Sequence, residues 1–249
     1  MKQITEEKAQ NYKNGKINYV TEKVVKDSTI TLTINNEISR SLSAIEDSLE
    51  EFAVGYLFNE NMVKSIDDIE KIEINENHIN VEIDDKLLKT KETVLCSDSS
   101  GGWRSKIKEI KPISSDFQVE ADELINRIEE LKNNAQIWQA TGGTHVAGIV
   151  YKNNFIVKED VSRHVAVDKV IGYGILHDYD LSNSYIIYSG RMPADMVIKI
   201  VRSGIPVLAS NAAPAYSGCE TAKKGNVTLV GFLRGQRFNV YNNKNRIIF

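Results

Sequence analysis

Two periodicities alternate along this chain. Ile17 to Val25 alternates partly and Thr29 to Ile34 cleanly between apolar and polar positions, which predicts a pair of strands joined by the polar turn Lys26-Asp27-Ser28. The period then changes to that of a helix. Leu49, Phe52, Ala53, Tyr56 and Leu57 fall on one face, and Ser48 with Glu51 has the spacing of a capping box. Ile69 to Ile74 and His78 to Ile83 read as a hairpin turning through Asn75-Glu76-Asn77. From Asp84 to Pro112 no periodicity survives, and Cys96-Ser-Asp-Ser-Ser-Gly-Gly-Trp103 has the small residues of a flexible loop.

Beyond Pro112-Ile-Ser-Ser-Asp116 the pattern becomes α/β. A helix is predicted from about Val119 to Asn133, then a hairpin from His145 to Tyr151 and Phe155 to Lys158, then a helix from His164 to Leu176. Short apolar strands follow at Tyr185 to Tyr188, Ile205 to Ala209 and Val227 to Phe232, separated by helices opening at Pro193 and Pro214. Strands alternating with helices of this length predict a mainly parallel sheet covered on both faces. The chain divides near residue 115 into an N-terminal α+β subdomain, 1–115, ending in the Cys96 loop, and an α/β core, 116–249.

Composition narrows the class of protein. With 41% hydrophobic and 26% charged residues the chain can bury a core, and a net charge of −3 gives no argument for nucleic-acid binding. The charged start Met1-Lys-Gln-Ile-Thr-Glu-Glu7 lacks a secretory signal's apolar stretch, and no run is long enough to span a membrane. Two cysteines, Cys96 and Cys219, form no disulfide framework, so a reducing cytoplasm is the natural compartment. Together with four scattered histidines they match no structural zinc spacing. From Thr221 onward there is no acidic residue, whereas Lys223, Lys224, Arg234, Arg237, Lys244 and Arg246 are basic: a solvated face, or a surface for phosphates.

Five segments carry candidate chemistry. Gly231-Phe-Leu-Arg-Gly-Gln-Arg-Phe238 follows an apolar strand, where open sheets bind ligands, and Arg234 and Arg237 offer forks that match phosphate. Its competing reading is a hairpin turn with surface arginines. In Glu159-Asp-Val-Ser-Arg-His-Val-Ala-Val-Asp-Lys169, Arg163 and a helix start can face an anion. His164 and Asp168, four apart, can pair, with Asp160 or Ser162 as cap. Thr141-Gly-Gly-Thr-His145 permits close backbone approach to a ligand, and Ser189-Gly-Arg191 is a strand-to-helix turn that suits an anion. Cys96 is a loop thiol able to carry a persulfide, whereas Cys219 reads as a small core residue.

Taken in order, Glu51-Phe-Ala-Val-Gly-Tyr-Leu57, Thr141 to Ala147, Glu159 to Gly172, Ser189-Gly-Arg191, Gly204 to Ala209 and Thr228 to Tyr241 resemble the FdhD family of formate dehydrogenase sulfurtransferases. The resemblance implies a cytidine-deaminase-like three-layer α/β/α core and a homodimer. It implies transfer of sulfur from a cysteine desulfurase to the bis-molybdopterin guanine dinucleotide cofactor, with molybdenum or tungsten, of formate dehydrogenase or a related molybdoenzyme. The stretch Phe232, Leu233, Arg234, Gly235, Gln236 and Arg237 is expected to bind that transient cofactor, with Arg163, His164 and Arg191 at the pocket edge and Phe232 or Phe238 against the guanine. GDP is then a fragment mimic.

The chain departs from the family in its loop. There is no Cys-x-x-Cys, the position expected to be cysteine falls near Ser99 or Ser100, and Cys96 is the one thiol there. Ser162 stands where glycine is usual and Val165 where asparagine is usual. Two readings follow: a persulfide carrier with Cys96 as its catalytic residue, or a module that binds and delivers the cofactor without sulfur chemistry. A third class, a zinc hydrolase on the same fold, needs a metal-binding cysteine pair that the sequence lacks.

Overall fold

The structure is a computed structural model describing residues 2–87, 93–95, 103–105 and 110–249. Its chain begins with a two-stranded antiparallel ribbon, β1 (Ile4–Lys13) and β2 (Lys16–Val25), mostly exposed on both faces. β3 (Ser28–Ile34) and β4 (Ile38–Ala44) form a hairpin over Asn35-Asn36, both with positive φ as a tight hairpin turn requires. The predicted pairing of the second and third strands across Lys26-Asp27-Ser28 is therefore corrected. That turn joins the ribbon to a separate sheet, and the Lys26 amide donates to the Gln3 carbonyl at 2.8 Å.

α1 (Leu49–Asn59) forms as the apolar spacing predicts, but its capping box does not. Ser48 adopts a left-handed conformation, and Lys158 donates instead to Ser48 Oγ at 2.6 Å and to Glu51 Oε1 at 3.0 Å. β5 (Ile69–Asn75) and β6 (His78–Ile83) complete a four-stranded sheet of order β4-β3-β6-β5, whose inner face packs on α1. β7 (Thr93–Leu95) pairs with β8 (Trp103–Ser105). Cys96, Ser99 and Ser100 lie outside the described residues.

After β9 (Val119–Glu120) come α2 (Ala121–Asn134) and the short α3 (Gln136–Thr141). The core follows: β10 (His145–Tyr151), β11 (Asn154–Asp160), α4 (Arg163–Leu176), β12 (Ser184–Tyr188), α5 (Ala194–Arg202), β13 (Val207–Ser210), α6 (Tyr216–Gly225), β14 (Thr228–Arg234) and β15 (Arg237–Tyr241). β16 (Ile247–Ile248) then returns to β9. The large sheet runs β11-β10-β12-β13-β14-β15. It is mixed rather than mainly parallel. Only β12-β13 and β13-β14 pair in parallel, because hairpins after Tyr151 and Arg234 add antiparallel strands at both ends.

Successive strand residues point to opposite faces, so each face makes its own core. Ile149, Ile186, Tyr188, Leu208 and Leu229 pack beneath α4, α5 and α6. Val146, Val150, Tyr185, Ile187 and Val230 pack against α2. Cys219 is half-buried against the first of these. The result is a sheet sandwiched between helices. Among the described residues no helix is long and apolar enough to cross a membrane.

The N-terminal sheet and its helix dock on the outer side of α4. α1 and α4 meet backbone to backbone: a Cβ on Gly55 would lie 1.9 Å from the Asp168 carbonyl oxygen, and one on Gly172 1.8 Å from that of Glu51. Buried charge reinforces the contact. The Lys199 ammonium donates to both Asp168 oxygens at 2.5 and 2.6 Å, and Asn59 donates to the same carboxylate at 2.5 Å. Lys169 donates to Asp160 at 2.8 Å and to the Ile45 carbonyl at 3.2 Å.

Candidate functional site

β12, β13 and β14 run in parallel, so their carboxyl ends open along one edge, the place where α/β sheets bind ligands. Ser189 to Arg191 follows β12, Asn211 and Ala212 follow β13, and Phe232 lies near the end of β14, its amide donating to Ala212 at 3.0 Å. β10 is antiparallel to β12, so Thr144 and His145 begin at this same edge. Asp160, paired with His145, ends there too, and α4 starts just beyond it.

The expected anion groups converge here. Arg163, first residue of α4, is half-buried, and a Cβ on Gly190 would lie 3.1 Å from its Cδ. Arg191 is exposed on the next turn, and its carbonyl accepts from the buried Tyr188 hydroxyl. Burial, then the nearby Arg163 guanidinium, push the His145 imidazole below its ordinary 6.5, so it is neutral at neutral pH. Its Nδ1 lies 3.4 Å from Ser189 Oγ, which accepts from the Val146 amide at 3.0 Å. Burial drives the Tyr188 phenol well above its usual range.

The His164–Asp168 pair is corrected. His164 is fully buried and directs Nε2 at Asp195 on α5, 3.4 Å away, while Asp168 is taken by Lys199 and Asn59. Burial opposes ionisation of Asp195, yet His164 and Arg163 together hold its carboxyl below the ordinary range. His164 is therefore enclosed between α4 and α5 at the base of this edge. Of the two proposed caps for α4, Asp160 accepts from the Ser162 amide at 3.0 Å, and the Ser162 side chain makes no capping bond.

Gly231 to Phe238 is a β-hairpin, the competing reading of that segment. Arg234 and Arg237 are register partners flanking Gly235-Gln236, and all four residues are exposed. Leu233 is fully buried in the α2-side core, which removes its side chain from any ligand surface. Phe238 packs towards that same core, with its ring stacked 6.2 Å from Phe249. Phe232 differs. It sits at a bulge with φ of 57°, a left-handed conformation costing a non-glycine residue about 1–3 kcal/mol, and such strain collects at functional edges.

At the same edge lies a cavity of about 240 Å³, part of whose rim belongs to the two glycine-bearing turns singled out in the sequence. Trp138, Thr144, His145, Ser189 and Asn211 rim it over an apolar floor that includes Leu131 and Val146. Asn211 was findable by one rule, since it follows an apolar strand at its carboxyl end. Trp138, on a six-residue helix directly before the Thr141-Gly-Gly-Thr-His145 segment, gave no signal.

Comparison with known proteins is consistent across three measures. The model of the FdhD/NarQ family matches residues 25–248. The sulfur carrier protein FdhD of Methanothermobacter thermautotrophicus is 48% identical over 92% of this chain and 93% of its own. Protein FdhD of Methanocaldococcus jannaschii is 34% identical over 92% of each. A crystal structure of a proposed formate dehydrogenase accessory protein from Desulfotalea psychrophila superimposes with a TM-score of 0.82 at 26% identity, covering 98% of this chain and 99% of that one.

Proposed function

Because the chain belongs to the FdhD/NarQ family, we propose that it is a sulfur carrier in the maturation of formate dehydrogenase or a related molybdoenzyme. In this reading it receives sulfur from a cysteine desulfurase and passes it to a bis-molybdopterin guanine dinucleotide, of molybdenum or tungsten, held transiently as cargo. The relatives named as sulfur carriers support the role. The observation that carries the cofactor reading is the convergence of Arg163 and Arg191 with the starts of α4 and α5 at one sheet edge. Guanidinium forks and the positive ends of helix dipoles suit the oxygens of a diphosphate. The exposed Arg234–Arg237 tip leaves the same edge and adds charge at its rim. A cytidine-deaminase-like core and a homodimer belong to this proposal as well.

GDP titration tests it. Arg163→Ala should weaken GDP binding by about 1.5–3 kcal/mol, the worth of a charge-assisted contact, and Arg237→Ala by less, because its guanidinium is in solvent. Unchanged calorimetric affinity in Arg163→Ala would remove the site.

In the sulfur step, the Cys96 thiolate attacks the outer sulfur of a donor persulfide. The donor's S–S bond breaks, and the donor leaves as a thiolate. Cys96→Ala should abolish activation of the target enzyme and leave GDP affinity at the wild-type value. The second reading, delivery without sulfur transfer, is favoured by the single thiol in the loop. Mass spectrometry after incubation with a desulfurase and cysteine separates the two, since a carrier gains one sulfur on Cys96 and a delivery module gains none.

A further inference from the structure

We propose that the β1–β2 ribbon is a docking arm for a second copy of this chain, with Lys13 and Lys16 of each ribbon seated on Glu7 and Glu22 of the other. The inference rests on the homodimer reading given above and assigns it a surface: one face of the ribbon, about a two-fold axis at the level of Gln10 and Tyr19.

Charge decides which face. Directly opposed residues of an antiparallel pair point to the same side, and neighbours along a strand to opposite sides. The register sets Lys13 against Lys16 at the tip and Glu7 against Glu22 nearer the root, so one face carries two like-charged pairs. Like charges directly opposite each other destabilise a ribbon. All four side chains are exposed, and among the described residues no ion pair engages any of them. On the other face the opposed charges are Glu6 and Lys23, of unlike sign, which need nothing from outside.

The spacing makes that face self-complementary. Lys13 follows Glu7 by six residues on one strand, and Glu22 follows Lys16 by six on the other. A two-fold axis sets residue i of one copy on residue j of the other, and j on i. Two ribbons laid face to face and antiparallel about Gln10 and Tyr19 therefore bring Lys13 onto Glu7 and Lys16 onto Glu22 at both ends at once. The short side chains of Ala9, Asn11, Asn18 and Val20 lie between these contacts and let the ribbons close. A parallel arrangement stacks lysine on lysine, so the pattern selects the antiparallel one.

An isolated two-stranded ribbon is marginal in water, and this one is mostly exposed on both faces. Its ten-residue strands give a face ~33 Å long and ~10 Å wide. Two such faces bury on the order of 700 Å², below the roughly 1,200–2,000 Å² of a stable interface, so charge rather than area determines whether the copies hold. The root of the ribbon is fixed, because Val25 packs on the Gly142-Gly143 turn: a Cβ on Gly143 would lie 2.8 Å from Val25 Cγ1. The two-fold carries the second copy's Asn14-Gly15 turn to that root. Each arm then ties the edge of its own candidate site to that of the other copy.

Sedimentation velocity on the full chain tests the arm. The wild type should dimerise at ~0.1 M salt, and ~1 M salt, which shortens the screening length from ~10 Å to ~3 Å, should weaken the dimer about tenfold or more. Lys13→Glu with Lys16→Glu should be monomeric, and so should Glu7→Lys with Glu22→Lys, each melting close to the wild type because the four side chains are in solvent. Mixing the two variants should restore a dimer, since glutamate then meets lysine at every contact, and the chain carrying all four changes should dimerise by itself. Tyr19→Ser, on the opposite face, should leave the dimer intact. A dimer that survives either reversal, two variants that stay apart on mixing, or a dimer lost in Tyr19→Ser overturns the arm while leaving the homodimer reading standing. Reversals that spare the dimer and instead weaken capture of the sulfur donor give the ribbon to that protein, which overturns it equally. A wild type that is monomeric in the low-salt buffer removes the homodimer reading itself.

Discussion

Asp168→Ala is expected to destabilise the protein by about 3–5 kcal/mol, the cost of leaving one partner of a buried ion pair uncompensated. Asp168 is fully buried and Lys199 is 1% exposed, so water cannot replace the lost carboxylate. Asn59 loses an acceptor as well, although its own oxygen still accepts from Ser203 at 2.7 Å. For a chain of this length each kcal/mol lowers the melting temperature by roughly 2–4 °C, which predicts a fall of about 6–20 °C by thermal denaturation. Replacing both partners, Asp168→Leu with Lys199→Met, should recover most of the loss, because two apolar groups leave no stranded charge. A melting temperature within about 2 °C of wild type for Asp168→Ala would mean that the pair contributes nothing to holding α1, α4 and α5 together.

Gly172→Ala is the second large effect. Alanine favours a helix over glycine by about 1 kcal/mol, so an unhindered site would be stabilised. Here the new methyl carbon would lie 1.8 Å from the Glu51 carbonyl oxygen and 2.8 Å from the Gly55 nitrogen. Both obstacles are backbone, so no side chain can swing aside and the two helices must separate. A net loss of about 2–4 kcal/mol in chemical denaturation is expected, at or beyond the upper end of overpacking costs. Gly15→Ala is the contrast. It meets nothing within 4 Å and pays only for its positive φ, about 1 kcal/mol. Equal losses in the two variants would show that α1 and α4 are not in backbone contact.

These effects mark what a sequence reveals and what it hides. α2 was legible because one face meets a core and the apolar spacing records it, and α1 because its sheet-facing side chains keep that spacing even though its other side is buried against α4. The β1–β2 ribbon was not read as such, since with both faces in solvent no alternation had to be kept. Its mispairing with β3 had a local remedy: Asn35-Asn36 is a better hairpin signal than Lys26-Asp27-Ser28. The capping box failed because Lys158, more than a hundred residues away, claims both of its side chains. At the site, Arg163 and Arg191 were readable as residues that follow strands. The Arg234–Arg237 turn could be read as a ligand loop or as a hairpin turn with surface arginines, and the structure places both arginines at an exposed hairpin tip. Glu159 stood in a motif, yet its partners on α3, the Ile137 and Trp138 amides, are visible only in three dimensions.

α4 is buried almost all the way round, and that has a mechanical meaning. Val165 belongs to the N-terminal core, whereas Ala166, Val167, Val170 and Ile171 belong to the core under the large sheet. One rod is therefore common property of both halves, and neither half can loosen without baring a stripe of it. The halves should melt as a single cooperative unit. The guanidinium at the tip of that rod then rides on the whole molecule's rigidity rather than on a loop of its own.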